Sequence, residues 1–456
     1  MSLGVYVSVP FCRTKCSYCN FASDVVSRAV FDRYVDRVCA DIENAPQIAA
    51  EMGGQMERTV DSIYLGGGTP TVLEAAQLER IFAAVRAQFD VIAGAEITVE
   101  CAPGTLTAAT LDSLLRCGVN RVSLGVQSFV DQEAAAVGRL HKRATVLEDI
   151  VRLRAAGISN INIDLIAGLP HQTAKSWEFS LAETVAAGAP HVSIYMLEVD
   201  EDSRLGRELL AGGVRYHAHF VPDEEAVADF YVAACERLQS AGIAQYEISN
   251  FAHPGFESRH NLKYWTREPY FGFGVDAHSM LSSNREGHDP SALFRTSFSR
   301  DDTERKTERG FSPCDIEAVR FAPADSLEQY ITGTPLHRSA VSERAALEES
   351  FFLGLRLTQG VNLRDLATKF GDESAASAHA TIAELIECGL MEQQGDTVRL
   401  TSRGRLLSNE VFERFIVADE VARRSFAKHQ KSAQGELLAN HPVGWGESLN
   451  ADNPQR

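Results

Sequence analysis

The chain has 456 residues, of which 44 are Lys or Arg and 62 are Asp or Glu, so its formal net charge is −18. This length favours two or more domains, and the acidic balance argues against the basic surface that nucleic-acid binding needs. The N-terminal residues lack a basic leader followed by an apolar core, and no apolar run approaches the roughly 20 residues that span a bilayer. We therefore expect a cytoplasmic protein that makes at most peripheral contact with membranes.

Short runs rich in β-branched and apolar residues alternate with longer helix-like stretches through the first 200 residues. This alternation predicts parallel β-α-β units, arranged either as a doubly wound sheet or as a partial (β/α) barrel. The predicted strands are 5–9, 62–65, 96–100, 121–126, 161–166 and 192–197, with a further candidate at 246–251. The predicted helices between them are 28–52, 73–89, 107–117, 131–137, 144–156 and 174–188.

A second module is predicted near the C-terminus. Its pattern consists of helices at 342–358, 361–370, 375–389 and 403–415, with two short strands around Gly395 and Asp396. Three helices and a hairpin are typical of a small winged-helix domain. Such domains are usually associated with DNA, but fold alone does not establish that function, and the negative net charge of the chain argues against it. The predicted organisation is a barrel domain at 1–285, a polar connector at 286–338, a winged-helix-like domain at 339–420 and a disordered polar tail at 421–456.

The sequence has nine cysteines, and in a reducing compartment these favour metal binding or catalysis over disulfides. Cys12, Cys16 and Cys19 form a C-x3-C-x2-C pattern in one loop after the first predicted strand. Structural zinc sites usually use two cysteine pairs, and no second pair follows, although zinc with a distant fourth ligand is an alternative. A [4Fe–4S] cluster normally takes four cysteines. Three would leave one iron open to a substrate or cofactor.

Glycine and polar residues stand at or near the ends of several predicted strands. Singly, each has a plain structural explanation, such as a tight turn or a solvated charge. Functional side chains of parallel α/β barrels gather at the C-terminal ends of strands, so their shared placement predicts one pocket. Its candidate residues are Gly66, Gly67, Gly68, Thr69, Glu100, Gln127, Arg139 and Asp164.

The cysteine pattern and its position after a first barrel strand resemble the radical S-adenosylmethionine (SAM) superfamily. The resemblance implies an α/β fold, with a partial (β/α)6 radical SAM barrel followed by the small winged-helix-like C-terminal domain. It also implies a [4Fe–4S] cluster held by Cys12, Cys16 and Cys19, whose open iron is chelated by the amino and carboxylate groups of SAM. The SAM contacts that it implies are Tyr6, Tyr18, Gly67, Gly68, Thr69, Glu100, Gln127, Arg139 and Asp164.

Several motifs resemble the group related to oxygen-independent coproporphyrinogen III oxidase: YVSVPFCRTKCSYC, YLGGGTPT, GVQSF, NIDLIAGLP, YEISNFA and HNLKYW. Within that group the chain is most similar to the HemW-type haem chaperones, because Phe21 replaces a further cysteine of the oxidase pattern and residues 260–265 match HNxxYW. The resemblance implies haem as a ligand, respiratory haem proteins as its recipients, and pairing into a homodimer as an option. The haem contacts that it implies are His260, Asn261, Tyr264 and Trp265.

Two alternative functions stay open, and with them the question of whether the chain is an enzyme. An oxygen-independent coproporphyrinogen III oxidase would remove propionate carboxyl groups oxidatively, and a related radical SAM methylase would methylate its substrate. The chain departs from the family pattern at Ala102, where asparagine is usual, and at Ser8, where histidine is common. These departures weaken the oxidase alternative, because a porphyrinogen site needs closely arranged side chains, and they leave the cluster cysteines unaffected.

Overall fold

The computed structural model describes residues 2–284 and 316–416. The first part of the predicted connector and the whole predicted tail at 421–456 lie outside the described residues. The strands are β1 (Leu3–Val9), β2 (Thr59–Gly67), β3 (Asp90–Cys101), β4 (Arg121–Gln127), β5 (Asn160–Ala167), β6 (His191–Met196), β7 (Ala244–Gln245), β8 (Asn250–Ala252), β9 (Tyr270–Gly274), β10 (Ser279–Ser282), β11 (Ile316–Ala322), β12 (His337–Ser342), β13 (Val361–Asn362), β14 (Met391–Gln394) and β15 (Thr397–Leu400).

Helices follow most of the strands of the first domain and dominate the second. They are α1 (Ala29–Glu43), α2 (Ala45–Met52), α3 (Ala75–Gln88), α4 (Ala108–Arg116), α5 (Asp131–Ala136), α6 (Arg143–Ala155), α7 (Ala174–Ala187), α8 (Arg204–Ala211), α9 (Glu224–Ser240), α10 (Arg259–Trp265), α11 (Leu327–Thr332), α12 (Glu343–Gly354), α13 (Leu363–Phe370), α14 (Asp372–Ala376), α15 (His379–Glu387), α16 (Ser402–Leu406) and α17 (Ser408–Glu413). Short 3-10 helices lie at Pro70–Val72 and Ala218–Phe220.

Twelve of the described strands form one open sheet, in the order β12-β11-β10-β9-β1-β2-β3-β4-β5-β6-β8-β7. Strands β1 to β6 run parallel in chain order, and β9 pairs in parallel with the free edge of β1. The expected partial (β/α)6 barrel is therefore confirmed. Antiparallel strands extend it at both edges, with β10, β11 and β12 on one side and β8 and β7 on the other.

Side chains of the central strands alternate between two environments. On β5, Ile161, Ile163 and Leu165 are fully buried in the hydrophobic core that the surrounding helices share, whereas Asn162 and Asp164 line an interior cavity. Successive residues of a strand face opposite sides of a sheet, so the strand gives an apolar face to the helices and a polar face to the interior. The barrel therefore has an interior in which a ligand can make directional contacts.

The structure differs from the predicted elements in two places. β11 falls within the predicted connector and β12 crosses its predicted end at residue 338, yet both strands belong to the large sheet. Only Val341 of β12 is buried, and a strand with one exposed side lacks the apolar run that marks its central neighbours. The single helix predicted at 28–52 is divided into α1 and α2, with Pro46 in the first turn of the second helix, where proline is tolerated.

Residues 343–416 form the second module. Its helices pack with a three-stranded antiparallel sheet in the order β13-β15-β14, and the β14–β15 hairpin lies where the winged-helix-like pattern places it. A separate hydrophobic cluster fills this module, including Leu355 and the stacked rings of Phe351 and Phe415, 4.9 Å apart. Within residues 2–284 and 316–416, no helix is long and apolar enough to cross a membrane.

A buried ion-pair network joins this module to the large sheet. The carboxylate of Glu349 in α12 lies 2.9 Å from Nε of Arg267 and 2.8 Å from Nη2 of Arg320 in β11. Arg267 also reaches Glu317, at 3.1 Å. Burial acts to raise the pKa of Glu349, but the charges of Arg320 and Arg267 outweigh it and lower the pKa. The shared carboxylate of Glu349 therefore holds both cations, of which Arg267 has a second carboxylate partner in Glu317.

Replacing Glu349 by alanine should destabilise the protein strongly, because it leaves two buried guanidinium groups without their common partner. Breaking a buried ion pair costs about 3–5 kcal/mol, and we expect a loss of that order in the free energy of unfolding measured with urea. Glu384→Ala is the matched control, since Glu384 and Arg414 form a pair whose side chains are 55% and 57% exposed. Such surface pairs contribute about 0–1 kcal/mol, so equal losses in both variants would contradict the network's role.

Candidate functional site

The cysteine loop follows β1 and folds back on itself through hydrogen bonds to the backbone. The amide of Cys12 donates to the carbonyl oxygen of Asp24 at 3.1 Å. Inside the loop, Nζ of Lys15 donates to the carbonyl oxygens of Phe21 and Ser23, at 3.1 and 2.8 Å. The loop is thereby closed, and all three of its cysteines border one cavity at the C-terminal ends of the strands: Cys12, Cys16 and Cys19.

The glycine turn after β2 contacts the cysteine loop directly. The amide of Gly68 donates to the carbonyl oxygen of Val9 at 2.8 Å, and the amide of Thr69 donates to that of Phe11 at 2.7 Å. A Cβ atom at Gly68 would lie 2.6 Å from the carbonyl oxygen of Phe11, so no larger residue fits without moving the backbone. The hydroxyl of Thr69 also lies 3.9 Å from the sulfur of Cys12. The turn therefore fixes the start of the loop.

Most of the predicted cofactor residues meet around this cavity. Those in its wall are Cys12, Cys16, Tyr18, Cys19, Gly67, Gly68, Thr69, Glu100, Gln127, Arg139 and Asp164. Gly66 and Tyr6 are the exceptions. Tyr6 is 2% exposed and packs against Tyr64 and His260, with ring centroids 6.1 and 6.3 Å away. It lies behind the cavity wall, and Tyr64 faces the cavity.

Gln127 has the features of a ligand-binding residue. It ends β4 in a left-handed backbone conformation with φ of 69°, which costs a non-glycine residue free energy and is typical of functional sites. Both polar atoms of its amide are buried without a hydrogen-bond partner among the described residues, as is Nε of Arg139. Nη2 of Arg139 donates to the hydroxyl of Tyr18 at 3.3 Å. Buried polar groups normally have partners, so these atoms indicate a bound polar molecule.

Two carboxyl groups face the cavity from separate strands. Glu100 accepts a hydrogen bond from the hydroxyl of Tyr64 at 2.9 Å, and Asp164 accepts one from Oγ of Ser123 at 3.0 Å and one from Nδ2 of Asn162 at 2.7 Å. Burial, assisted by the charge of Asp164, raises the pKa of Glu100 to about 8. Burial also raises the pKa of Asp164. A cationic ligand would favour the charged form of both groups.

Two of the cavity thiols are in surroundings that disfavour the thiolate. Burial raises the pKa of Cys12, and it raises the pKa of Cys19 to about 12; metal coordination deprotonates a thiol outright. In the described parts of the chain, no group of three or more His, Cys, Asp or Glu side chains is arranged around a single metal ion. Each iron of a cubane takes one cysteine, so three thiols that hold a cluster need not converge on one point.

A chain of hydrogen bonds leads from the cavity towards the second module. Oδ1 of Asn162 lies 2.6 Å from Nδ1 of His191, and Nε2 of His191 lies 2.9 Å from the hydroxyl of Tyr246. Burial lowers the pKa of His191 well below its usual value, so its neutral ring has one donor and one acceptor. The next residue, Glu247, forms a buried ion pair with Arg356 of the second module at 3.4 Å.

The HNLKYW motif forms α10, whose first amides are capped by a carboxylate. Glu96 of β3 accepts hydrogen bonds from the amides of Arg259 and His260, at 3.1 and 3.2 Å. The His260 ring is buried, with Nδ1 3.1 Å from Oγ of Ser62 and Nε2 3.1 Å from the hydroxyl of Tyr264. Burial lowers the pKa of His260 to about 3. Both ring nitrogens are therefore engaged with protein atoms.

All four motif residues that the resemblance gives as haem contacts are buried in this conformation. Tyr264 and Trp265 are 3% and 2% exposed, and the guanidinium of Arg356 lies 4.1 Å from the centre of a Trp265 ring. His260 has no nitrogen available for iron in this arrangement. Asn261 alone reaches the cavity wall, with Oδ1 buried and unpartnered among the described residues.

Sequence reasoning missed the polar side chains of the barrel interior. Those that border the cavity are Tyr64, Arg121, Ser123, Asn162, Ser193, Tyr195 and Asn250. The missed signal is the alternation within the predicted strands 121–126, 161–166 and 192–197, where polar residues recur at every second position.

Comparison with known proteins identifies the family. A model of the radical SAM superfamily matches residues 6–182, and a model of the HemN C-terminal domain matches residues 341–407. Heme chaperone HemW of Bacillus subtilis is 33% identical over 413 residues, which cover 90% of this chain and 98% of that relative. The chain belongs to the heme chaperone HemW family. The HemW of Lactococcus lactis is 30% identical and matches 91% of the chain and 97% of its own length.

A solved structure has the same fold as this chain. Coproporphyrinogen III oxidase (HemN) from Escherichia coli, whose structure is described as that of a radical SAM enzyme, superposes with a TM-score of 0.72. The match covers 91% of this chain and 90% of that protein at 23% identity, so the likeness concerns the fold alone.

Membership of the radical SAM superfamily implies a [4Fe–4S] cluster and SAM as cofactors, and the residues present fit them. Three thiols border one cavity, as a cluster with one open iron requires. The absence of a side chain at Gly68 lets backbone groups come close to that cavity. The unpartnered amide of Gln127 supplies polar atoms for a second, organic ligand.

Replacing Glu100 by glutamine should stabilise the ligand-free protein increasingly as the pH rises. The pKa of Glu100 is about 8 in the folded protein and about 4.3 in an unfolded chain, so wild-type stability is lost between these pH values. Glutamine has no proton to lose. The melting temperature of E100Q should therefore exceed that of wild type by a margin that increases by several degrees from pH 5 to pH 8 and is constant above pH 8.

The control for this titration is Glu384→Gln, because Glu384 is exposed and lies in the second module. Its melting temperature relative to wild type should stay constant over the same pH range. A constant difference for E100Q as well would contradict the raised pKa of Glu100.

Proposed function

We propose that the chain is a haem chaperone of the HemW type, which binds haem and delivers it to respiratory haem proteins. The observation that carries this proposal is the likeness to heme chaperone HemW of Bacillus subtilis over 98% of that protein's length. Phe21 supports it, because the oxidase pattern has a cysteine at this position. We also propose that the protein acts in the cytoplasm, where the cavity thiols stay reduced, and that any homodimer or peripheral membrane contact serves haem transfer.

The proposal assigns the cavity residues to two resident cofactors. Cys12, Cys16 and Cys19 would hold three irons of the [4Fe–4S] cluster, and the fourth iron would bind SAM. When bound, this pair supplies one-electron chemistry at the sulfonium group of SAM. The SAM contacts we propose are Tyr18, Gly67, Gly68, Thr69, Glu100, Gln127, Arg139 and Asp164, with Tyr6 acting through Tyr64 from behind the wall.

The chain's own residues prepare the cavity for these groups. Gly68 and Thr69 position the cysteine loop by backbone hydrogen bonds, and Gln127 keeps a strained backbone and an unpartnered amide ready for a polar ligand. Glu100 is neutral at pH 7 and becomes charged when a cation approaches, since its pKa of about 8 lies close to neutrality. The carboxyl group of Glu100 is therefore mainly neutral in the empty cavity and negatively charged when a cationic ligand is bound.

We propose that the HNLKYW motif supports haem binding indirectly in this conformation. The hydrogen bond of His260 to Ser62 of β2 fastens α10 to the barrel, and the helix holds Asn261 at the cavity wall. In this arrangement the iron ligand of haem is a residue other than His260.

His260→Ala should lower stability more than it lowers haem affinity. Leaving buried hydrogen-bond partners unsatisfied costs about 1–3 kcal/mol for each group, so the free energy of unfolding should fall by an amount of that order. The haem dissociation constant and the Soret band should stay close to wild type in absorbance titrations. The matched control is His253→Ala, which removes a hydrogen bond at an exposed site. A tenfold loss of affinity with a shifted Soret band and an unchanged melting curve would make His260 the iron ligand.

Anaerobically reconstituted protein should bind haem in an absorbance titration and should contain about four irons per chain. The same protein, supplied with a reductant, SAM and coproporphyrinogen III, should yield no protoporphyrinogen IX. Cys16→Ala should lose most of its iron and the associated absorbance near 400 nm, because the cluster loses one of three protein ligands. Cys388→Ala is the control, since this cysteine is exposed and lies in the second module.

Two results would overturn the proposal. Absence of haem binding by the cluster-loaded wild type would remove the chaperone function, and formation of protoporphyrinogen IX would establish the oxidase activity instead. A methylated product together with S-adenosylhomocysteine would identify a methylase.

A further inference from the structure

Arg121, the first residue of β4, is a buried cation in the barrel interior. The residue is 1% exposed and borders the same cavity as the three thiols. A guanidinium carries five N–H donors, yet that of Arg121 forms no hydrogen bond or ion pair with any residue in 2–284 or 316–416, and its Nε is fully enclosed.

Other buried arginines of the described chain have carboxylate partners. Arg267 lies 2.9 Å from Glu349, and Arg356 lies 3.4 Å from Glu247. An uncompensated buried charge is costly, and these residues show that the fold provides a partner where an arginine serves only the structure. Arg121 therefore calls for a partner that is not part of the described protein.

The carboxyl groups of the cavity do not fill this role. Glu100 is bonded to Tyr64, and Asp164 is bonded to Ser123 and Asn162. The positive charge of Arg121 acts to lower the pKa of Glu100, but burial is the larger effect and the pKa remains about 8. Both cavity carboxyl groups are therefore already hydrogen-bonded to other side chains.

The position of Arg121 along its strand separates it from the cysteine loop. Arg121 begins β4 and Gln127 ends it, so their Cα atoms are about 20 Å apart at roughly 3.3 Å per residue. The cysteine loop and the glycine turn follow the opposite strand ends from the one where Arg121 stands. The guanidinium therefore enters the cavity from the lower part of the barrel.

We propose that Arg121 receives a carboxylate of a ligand bound in the barrel interior, below the cysteine loop. A guanidinium matches a carboxylate through two parallel hydrogen bonds. The carboxylate of SAM would chelate the open iron beside the cysteine loop, so the propionates of haem are the ligand carboxylates that the proposed function, on which this inference rests, leaves for Arg121.

The test compares haem with its carboxylate-free form, using the full-length, anaerobically reconstituted protein. Haem and haem dimethyl ester are titrated by absorbance into wild type, Arg121→Met and Arg121→Lys. Wild type should bind haem at least tenfold more tightly than the ester, Arg121→Met should bind both forms equally, and Arg121→Lys should retain part of the preference.

The inference is overturned if Arg121→Met keeps the preference that wild type shows, or if wild type shows none. Failure of wild type to bind haem at all would instead contradict the chaperone function, and the stability comparison that follows would still decide whether Arg121 is paired within the protein.

The melting temperatures of ligand-free variants distinguish a ligand-binding role of Arg121 from a purely structural one. Arg121→Met removes an unpartnered charge, so the ligand-free variant should melt at or above the wild-type temperature. Arg356→Met is the matched comparison, because it removes a buried arginine that has a carboxylate partner, and it should melt several degrees lower. An equal decrease in both variants would show that Arg121 is paired within the protein and would refute the inference.

Discussion

The close approach of the glycine turn to the cysteine loop is the constraint on which the site depends. Parallel pairing of β1 with β2 sets Val9 opposite Gly67, so both connections leave the sheet at the same edge. The turn then lies against the loop at a separation that only glycine allows at position 68. Because the contact is made by backbone atoms, it defines where the first cysteine stands before any cofactor is present.

The polar interior of the barrel explains how one cavity serves several chemical groups. Most interior side chains are bonded to one another, as in the line from Asn162 through His191 to Tyr246. This network keeps the strands in place without using the atoms that face the ligand. The buried polar atoms of Gln127, Arg139 and Arg121 that lack partners are exceptions to this hydrogen-bonded network. Natural proteins tolerate such local conflicts mainly where a ligand resolves them.

The sequence predicted the parallel strands, the second module and nearly all of the cysteine and glycine site, because these depend on local patterns. C-x3-C-x2-C and the glycine run lie within single connections, and the strand ends follow from apolar runs. The role of Arg121 does not follow from a local pattern, because it depends on which face of β4 points inward. The burial of His260 is a tertiary property of α10 packing, which a six-residue motif does not reveal. β12 was missed because an edge strand carries a weak apolar signal.

The way the cysteine loop is fastened has a consequence for its evolution. Its closure relies on peptide groups at Cys12, Asp24 and Gly68 and on the side chain of Lys15. Peptide groups are common to all residues, so substitutions at loop positions whose side chains make none of these contacts leave the closure intact. Lineages can therefore retune the surroundings of the metal centre by single substitutions while its anchoring stays intact.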